Sequence, residues 1–288
     1  MSTGKGRRVK GWAAFALVAI TVLASQLRAQ TWRTFDVARS ARDTQPVSVH
    51  VAYGAGRIRI QPTASRTLYD AHFRYDAERS EPTYSFDAAS RRLDVGVRQT
   101  SVARSMKGGE GSELKLLLGA GSPMRLELDV GAAEGDIDLS GLRVEELLLQ
   151  TGATDTRVRF DSPNPMHMRM LRMQVGAASV DVLGLGNANT DHVELNLGVG
   201  KAVLDFSGEW HGDADVSVAS ALGQVTLRVP GDVGIRVESS RFLHSVNATG
   251  MVKRDGYSVS DNWETARFKL RLKSSGALGS LDIERIAR

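Results

Sequence analysis

The feature that most constrains this chain is a recurrence. Take Gly198, which opens LGVG, as the origin: apolar residues stand five and three positions before it (Val193, Leu195) and six after it (Leu204). The same frame fits Gly54 (Val49, Val51, Ile60), Gly131 (Leu126, Leu128, Ile137), Gly152 (Leu147, Leu149, Val158) and Gly176 (Leu171, Met173, Val182). With alanine at the origin it fits Ala221 (Val216, Val218, Leu227), and a partial copy runs over Ala277–Ile283. From Gly131 to Ala221 the spacings are 21, 24, 22 and 23 residues. Near-constant spacing over consecutive copies marks a repeat architecture.

Each copy reads as one coil. Alternating apolar residues make a strand with one buried face. Small residues follow, as in Gly131-Ala-Ala or Gly198-Val-Gly, and let the backbone turn tightly, with positive φ where a turn demands it. A second alternating strand and a loop such as Ser207-Gly208 close the coil. The turn positions are Gly54, Gly131, Gly152, Gly176, Gly198, Gly223 and Gly279. A unit this short cannot bury its own apolar face, so neighbouring coils must stack. The expected fold is all-β: a single-stranded β-helix, or β-solenoid, with an N-terminal strand meander. Residues 68–119 read as that meander, covering one end of the stack, while Phe268–Leu272 and Leu281–Ile283 read as closing the other.

The glycines do not read as a nucleotide loop. A P-loop needs a glycine where Leu195 stands and Ser or Thr where Ala202 stands. Charge points the same way. The 288 residues hold 37 basic and 33 acidic side chains, but residues 1–29 carry five of the basic ones and no acidic one. Without them the balance is 32 to 33, and no cationic surplus for nucleic acid is left. That N-terminal segment has basic residues (Lys5, Arg7, Arg8, Lys10), then an apolar run from Trp12 to Leu23, then Ser25–Ala29. This is the layout of a secretory signal cleaved after Ala29, and the apolar run is shorter than the roughly 20 residues of a membrane span. Retention as an N-terminal anchor is the other reading, and the one route to a membrane. The chain has no cysteine, so thiolate metal sites, cysteine nucleophiles and disulfides are excluded.

Several stretches resemble a known family. Ala52–Ile60, Phe73-Arg-Tyr75 and Glu81-Pro82 resemble the toast-rack N-terminal domain. Val130–Gly141, Leu204–Gly208, Leu222–Gly231 and Tyr257–Trp263 are similar to LiaF-like C-terminal and adhesin domains. The resemblance implies residues 30–120 as the toast-rack N-terminal domain and 121–288 as LiaF-like or adhesin-like β-helix repeats continuous with it. It implies a bacterial protein outside the cytoplasmic membrane, in a group linked to cell-envelope stress, and it brings no catalytic residues.

Little chemistry stands out. None of the six histidines lies four residues from another, so no helical metal pair exists. Met166-His-Met-Arg-Met170 has copper-friendly donors, with Met168 and Met170 expected on one strand face and His167 on the other. Asp213 and Asp215 share a strand face, two oxygens where calcium needs six or more. No catalytic residue, cofactor or metal ligand set is legible. The expectation is a non-enzymatic, exported, periplasmic or secreted module. Its partner would be an envelope protein or a cell-wall polymer, not nucleic acid, with self-association through the stack ends as a further possibility. The competing class is a polysaccharide-acting enzyme on the same scaffold.

Overall fold

The computed structural model describes residues 31–64, 66–100, 111–241, 244–248, 250–254 and 256–287. The expected secretory segment lies outside them. The strands are β1 (Trp32–Ser40), β2 (Val47–Thr63), β3 (Thr67–Asp76), β4 (Ser80–Asp87), β5 (Arg92–Gln99), β6 (Glu113–Gly119), β7 (Met124–Asp138), β8 (Val144–Thr151) and β9 (Asp155–Arg159). They continue as β10 (Met170–Leu183), β11 (His192–Asp205), β12 (Ala214–Pro230), β13 (Gly234–Arg241), β14 (His244–Ala248), β15 (Met251–Arg254), β16 (Tyr257–Ser260) and β17 (Lys269–Ile286). All 17 belong to one sheet, and a single 3-10 turn, Leu185–Ala188, is the helical element among the described residues.

One bent strand makes most of each coil. In β11, Val193, Leu195 and Leu197 face inward, the chain bends through Gly198-Val-Gly200, and Ala202 and Leu204 face inward again. The neighbouring strands β10 and β12 run parallel and in register, Leu171↔Val193↔Val216 before the bend and Val182↔Leu204↔Leu227 after it. Equivalent residues therefore stand in columns, and the inward columns form one continuous core. Burying each such side chain contributes about 1.5–3 kcal/mol, which is why the coil is stable only as part of a stack.

The loops between coils carry their own polar columns. Asn164 is buried; its carboxamide accepts from the Val144 and Met166 amides (3.2 and 3.0 Å) and donates to the Val144 and Ala188 carbonyls (2.8 and 3.2 Å). One side chain thus satisfies backbone groups of three successive turns, which buried polar backbone requires.

The order of rungs along the stack is β5/β6, β2, β7, β8/β9, β10, β11, β12, β17, β13/β14. Between β7 and β12 this is also the order in sequence. At the ends it is not. β2 lies between β5/β6 and β7, and β17 lies between β12 and β13/β14. Two expectations change accordingly. Residues 92–119 are not wholly meander: β5 and β6 are a parallel rung of the helix itself. Residues 269–286 do not close the stack; they form an interior rung, and β13–β16 close it. The antiparallel strands sit outside these rungs: β4 on β5, β3 on β6 and β1 on β3 at one end, β16 on β13 and β15 on β16 at the other. They cover strand edges that would otherwise invite edge-to-edge pairing.

Candidate functional site: a groove along the bends

The bends stack into columns of small residues. Gly54, Gly131, Gly152, Gly176 and Gly198 occupy one column, continued by Ala221 and Ala277. Gly223 and Gly279 occupy the next one, two residues on, in register with Gly200. The two columns need glycine for different reasons. In the first, a Cβ at Gly198 would lie 2.7 Å from the Gly176 carbonyl oxygen, and one at Gly176 2.8 Å from that of Gly152. At Gly131, Gly152, Gly176 and Gly198 it is rung-to-rung backbone approach, not backbone torsion, that excludes a side chain, whereas the column takes a methyl group at Ala221 and Ala277. In the second, Gly200 has φ +134°, and an added Cβ would also lie 2.0 Å from the Ala178 carbonyl oxygen.

With nothing larger than a methyl group in the first column, the outer surface is hollowed into a groove of about 1660 Å³ that crosses the rungs from β5 to β17. At about 4.8 Å per strand it is roughly 34 Å long. Its floor is the first glycine–alanine column, and one wall is a row of side chains two residues earlier: Asp129, Gln150, Gln174 and Asn196. Among the described residues, Arg98 and Asp129 are the only charged ones that line it. Among the described residues, Asp129 Oδ1 in this row has no hydrogen-bond partner, and beneath the floor the inward-facing hydroxyls of Tyr53, Thr151 and Ser220 also lack one. Beyond the floor, Val199, Leu222 and Leu278 form an apolar ridge, each about half exposed (48%, 50% and 48%).

At the β5 end of the groove, His50 on β2 stands between acidic neighbours. Its Nδ1 lies 3.1 Å from Asp94 Oδ1 on β5, and its Nε2 lies 3.2 Å from Asp129 Oδ2 on β7. Glu127, directly across from His50 in the ladder, brings a third carboxylate. Burial pushes the Asp94 carboxyl up, but hydrogen bonds from Arg92 and His50 outweigh it and hold the group below the usual carboxylate range.

The other sequence candidates are placed differently. Met168 is buried in the core, whereas Met170 lies on the outer face, so the two thioethers do not share a face and no copper cluster assembles. The inter-coil loop resets the strand alternation between them. Asp213 and Asp215 do share a face, but both belong to Arg271: Oδ2 of Asp213 lies 3.1 Å from Nη1, and Oδ1 of Asp215 lies 2.6 Å from Nε. Arg271 holds the Asp215 carboxyl below its ordinary range, against the opposing effect of burial.

Residues 28–183 match the model of the toast-rack N-terminal domain, DUF2154. The chain belongs to the toast-rack family. The match runs past residue 120, through the groove-lining rungs β7, β8/β9 and β10. No curated protein matches this toast-rack chain. Among solved structures, it is similar to a putative cell adhesion protein from Clostridium sporogenes: 14% identity, 88% of this chain and 100% of that one covered, TM-score 0.42. A putative adhesin from Bacteroides fragilis is similar at 10% identity, over 88% and 98% of the two chains, with a TM-score of 0.40. Likeness at this level carries no argument about what the toast-rack chain binds. Among its described residues, no helix is long and apolar enough to cross a membrane.

The groove walls were not singled out in the sequence, yet the repeat frame contained the signal. Asp129, Gln150, Gln174 and Asn196 each stand two residues before an aligned glycine. His50 and Glu127 both stand four before one.

Proposed function

We propose that this protein is a non-enzymatic envelope module, exported to the periplasm or beyond. It binds an extended, largely neutral cell-wall polymer along the groove. The observation that carries this reading is the groove itself: long, floored by backbone, and walled by the amides of Gln150, Gln174 and Asn196. Carboxamides both donate and accept along this row, which suits a polyhydroxylated strand. A nearly uncharged lining disfavours a polyanion such as nucleic acid. The layout of residues 1–29 supports export.

The enzymatic alternative has less support. Glycoside cleavage uses two carboxylates flanking the scissile bond. Among the described residues, Asp129 is the single carboxylate lining the groove, and its neighbour Glu127 comes from the same strand.

Co-sedimentation with insoluble, protein-free cell-wall polysaccharide tests the proposal. The chain should pellet with the polymer, and the triple variant Gln150→Ala/Gln174→Ala/Asn196→Ala should lose at least about tenfold in retention as paired groups disappear. Equal retention of the triple variant would rule out the groove. Failure of the wild type to pellet, with crosslinking in cells capturing a protein, would favour the envelope-protein partner. Soluble sugar released by the pure chain would overturn the non-enzymatic reading.

A further inference from the structure

We infer that His50, Glu127 and Asp129 form a binding site for a divalent transition metal of the zinc class, with Asp94 positioning the imidazole. One ligand atom from each of the three residues lies within 4.8 Å of the others. The site is assembled by register alone. β2 and β7 pair in parallel, so His50 stands beside Glu127 and Ala52 beside Asp129. His50, Glu127 and Asp129 therefore project from one outer face, while β5 brings Asp94 to the opposite side of the ring.

The hydrogen-bond arithmetic at His50 requires something between the ring and Asp129. A neutral imidazole has one N–H and one lone pair. Donated to Asp94, the N–H leaves the Nε2 lone pair facing a carboxylate oxygen at 3.2 Å. Two lone pairs at that distance repel unless a proton or a cation lies between them. Three observations favour the cation. First, Asp129 Oδ1 is buried without a hydrogen-bond partner, and a carboxylate oxygen of Glu127 converges on the same point. Second, charge-assisted N–H···O bonds are usually about 2.7–2.9 Å long, whereas the edge of a tetrahedral zinc site with bonds of about 2.0–2.1 Å is about 3.3 Å. The observed 3.2 Å falls near that edge. Third, a carboxylate on the second nitrogen of a ligating histidine is the usual means of fixing its tautomer. Asp94 stands there, itself held by Arg92 at 2.9 Å.

The donor set selects the metal. An imidazole nitrogen disfavours calcium and magnesium, which take oxygen, and the absence of thiolate disfavours copper(I). One nitrogen and two carboxylate oxygens suit zinc, with a fourth position for water. His72 provides an internal contrast. It is also bracketed by two carboxylates, Asp36 at 2.9 Å and Asp70 at 3.2 Å, but among the described residues no third ligand joins them. The inference stands apart from polymer binding: metal occupancy needs no ligand in the groove.

Calorimetric titration of the chelator-stripped chain with zinc chloride provides the test. A one-to-one complex is expected, and cobalt(II) in its place should give the intense visible bands of a four-coordinate site. His50→Ala and Asp129→Asn should abolish the heat, with circular dichroism reporting that each variant is folded. Asp94→Asn should weaken binding about 10- to 100-fold without removing a ligand. His72→Ala should bind like the wild type. No zinc uptake by the wild type, uptake that survives His50→Ala, or binding of calcium in preference to zinc would each overturn the site.

Discussion

The middle of the stack and its two ends use the same rung but connect it differently. From β7 to β12 each coil lies beside the one before it in sequence, and every connection is one short loop. At the ends a rung is threaded between two others, so β2 and β17 each pair with strands that lie on either side of them in space but not in sequence. The interior is therefore held by close repetition of backbone, and the termini by long-range pairing plus antiparallel strands. The contrast teaches that a solenoid can end its ladder without a helix or a disulfide, by displacing one coil and covering the outer edge.

The sharpest way to break the contrast is to crowd the interior. Gly200→Ala combines a strained φ with an approach to the Ala178 carbonyl that no side chain tolerates, and should destabilise by about 4 kcal/mol, the sum of a strain and an overpacking effect. Gly256→Ala, in the closing hairpin, also has positive φ (+90°) but meets nothing within 4 Å, and should cost only about 1 kcal/mol. Urea unfolding of the two variants measures the difference. Equal losses would mean that backbone strain alone, not rung spacing, demands glycine.

The next effect is cavity formation. Leu195→Ala empties a fully buried interior position and should cost about 3 kcal/mol; Val259→Ala, on the closing strand β16 and 5% exposed, removes less and should cost about 1 kcal/mol. If Val259→Ala were the more damaging, the closing strands would be the cooperative nucleus rather than a cover.

The smallest effect is electrostatic, at the seam where the displaced β17 meets β12. The Asp215 carboxyl lies below its ordinary range because Arg271 hydrogen-bonds to it, with burial opposing. A group whose folded pKa is depressed contributes stability above its unfolded pKa and loses it as pH falls through the folded value. Stability should thus decline below about pH 4, and Asp215→Asn should flatten that acid limb while costing less than about 1 kcal/mol at neutral pH, since the pair is half exposed. Thermal unfolding between pH 3 and pH 7 checks both. An unchanged acid limb would show the seam to be held by its ladder alone.

The same contrast explains what was legible in the sequence. The interior rungs were readable because local periodicity and rung order coincide: each glycine from Gly131 to Gly198 predicts its neighbour. The rung order at the ends was not. β5 and β6 are separated by residues 100–112, so no constant spacing links Val95 to Leu114, and nothing local says that Leu270 and Leu272 pack beside Val216 rather than beyond Val237. Parallel pairing between distant segments is decided by the whole stack. The groove was half legible. Its glycine floor came from the repeat, but its walls and the His50 cluster required knowing that columns two and four residues before each glycine face the same side.

The displaced terminal coils also govern how such a molecule can vary in length. A duplicated unit of about 22 residues fits between β7 and β12 without touching either terminus, because each coil there is an interchangeable link. The same duplication beyond β12 would have to be threaded past β17 and would unseat the closing strands. Lineages built this way should therefore differ by whole links in the centre while keeping both extremities fixed, and the surface channel would lengthen in steps of one strand spacing.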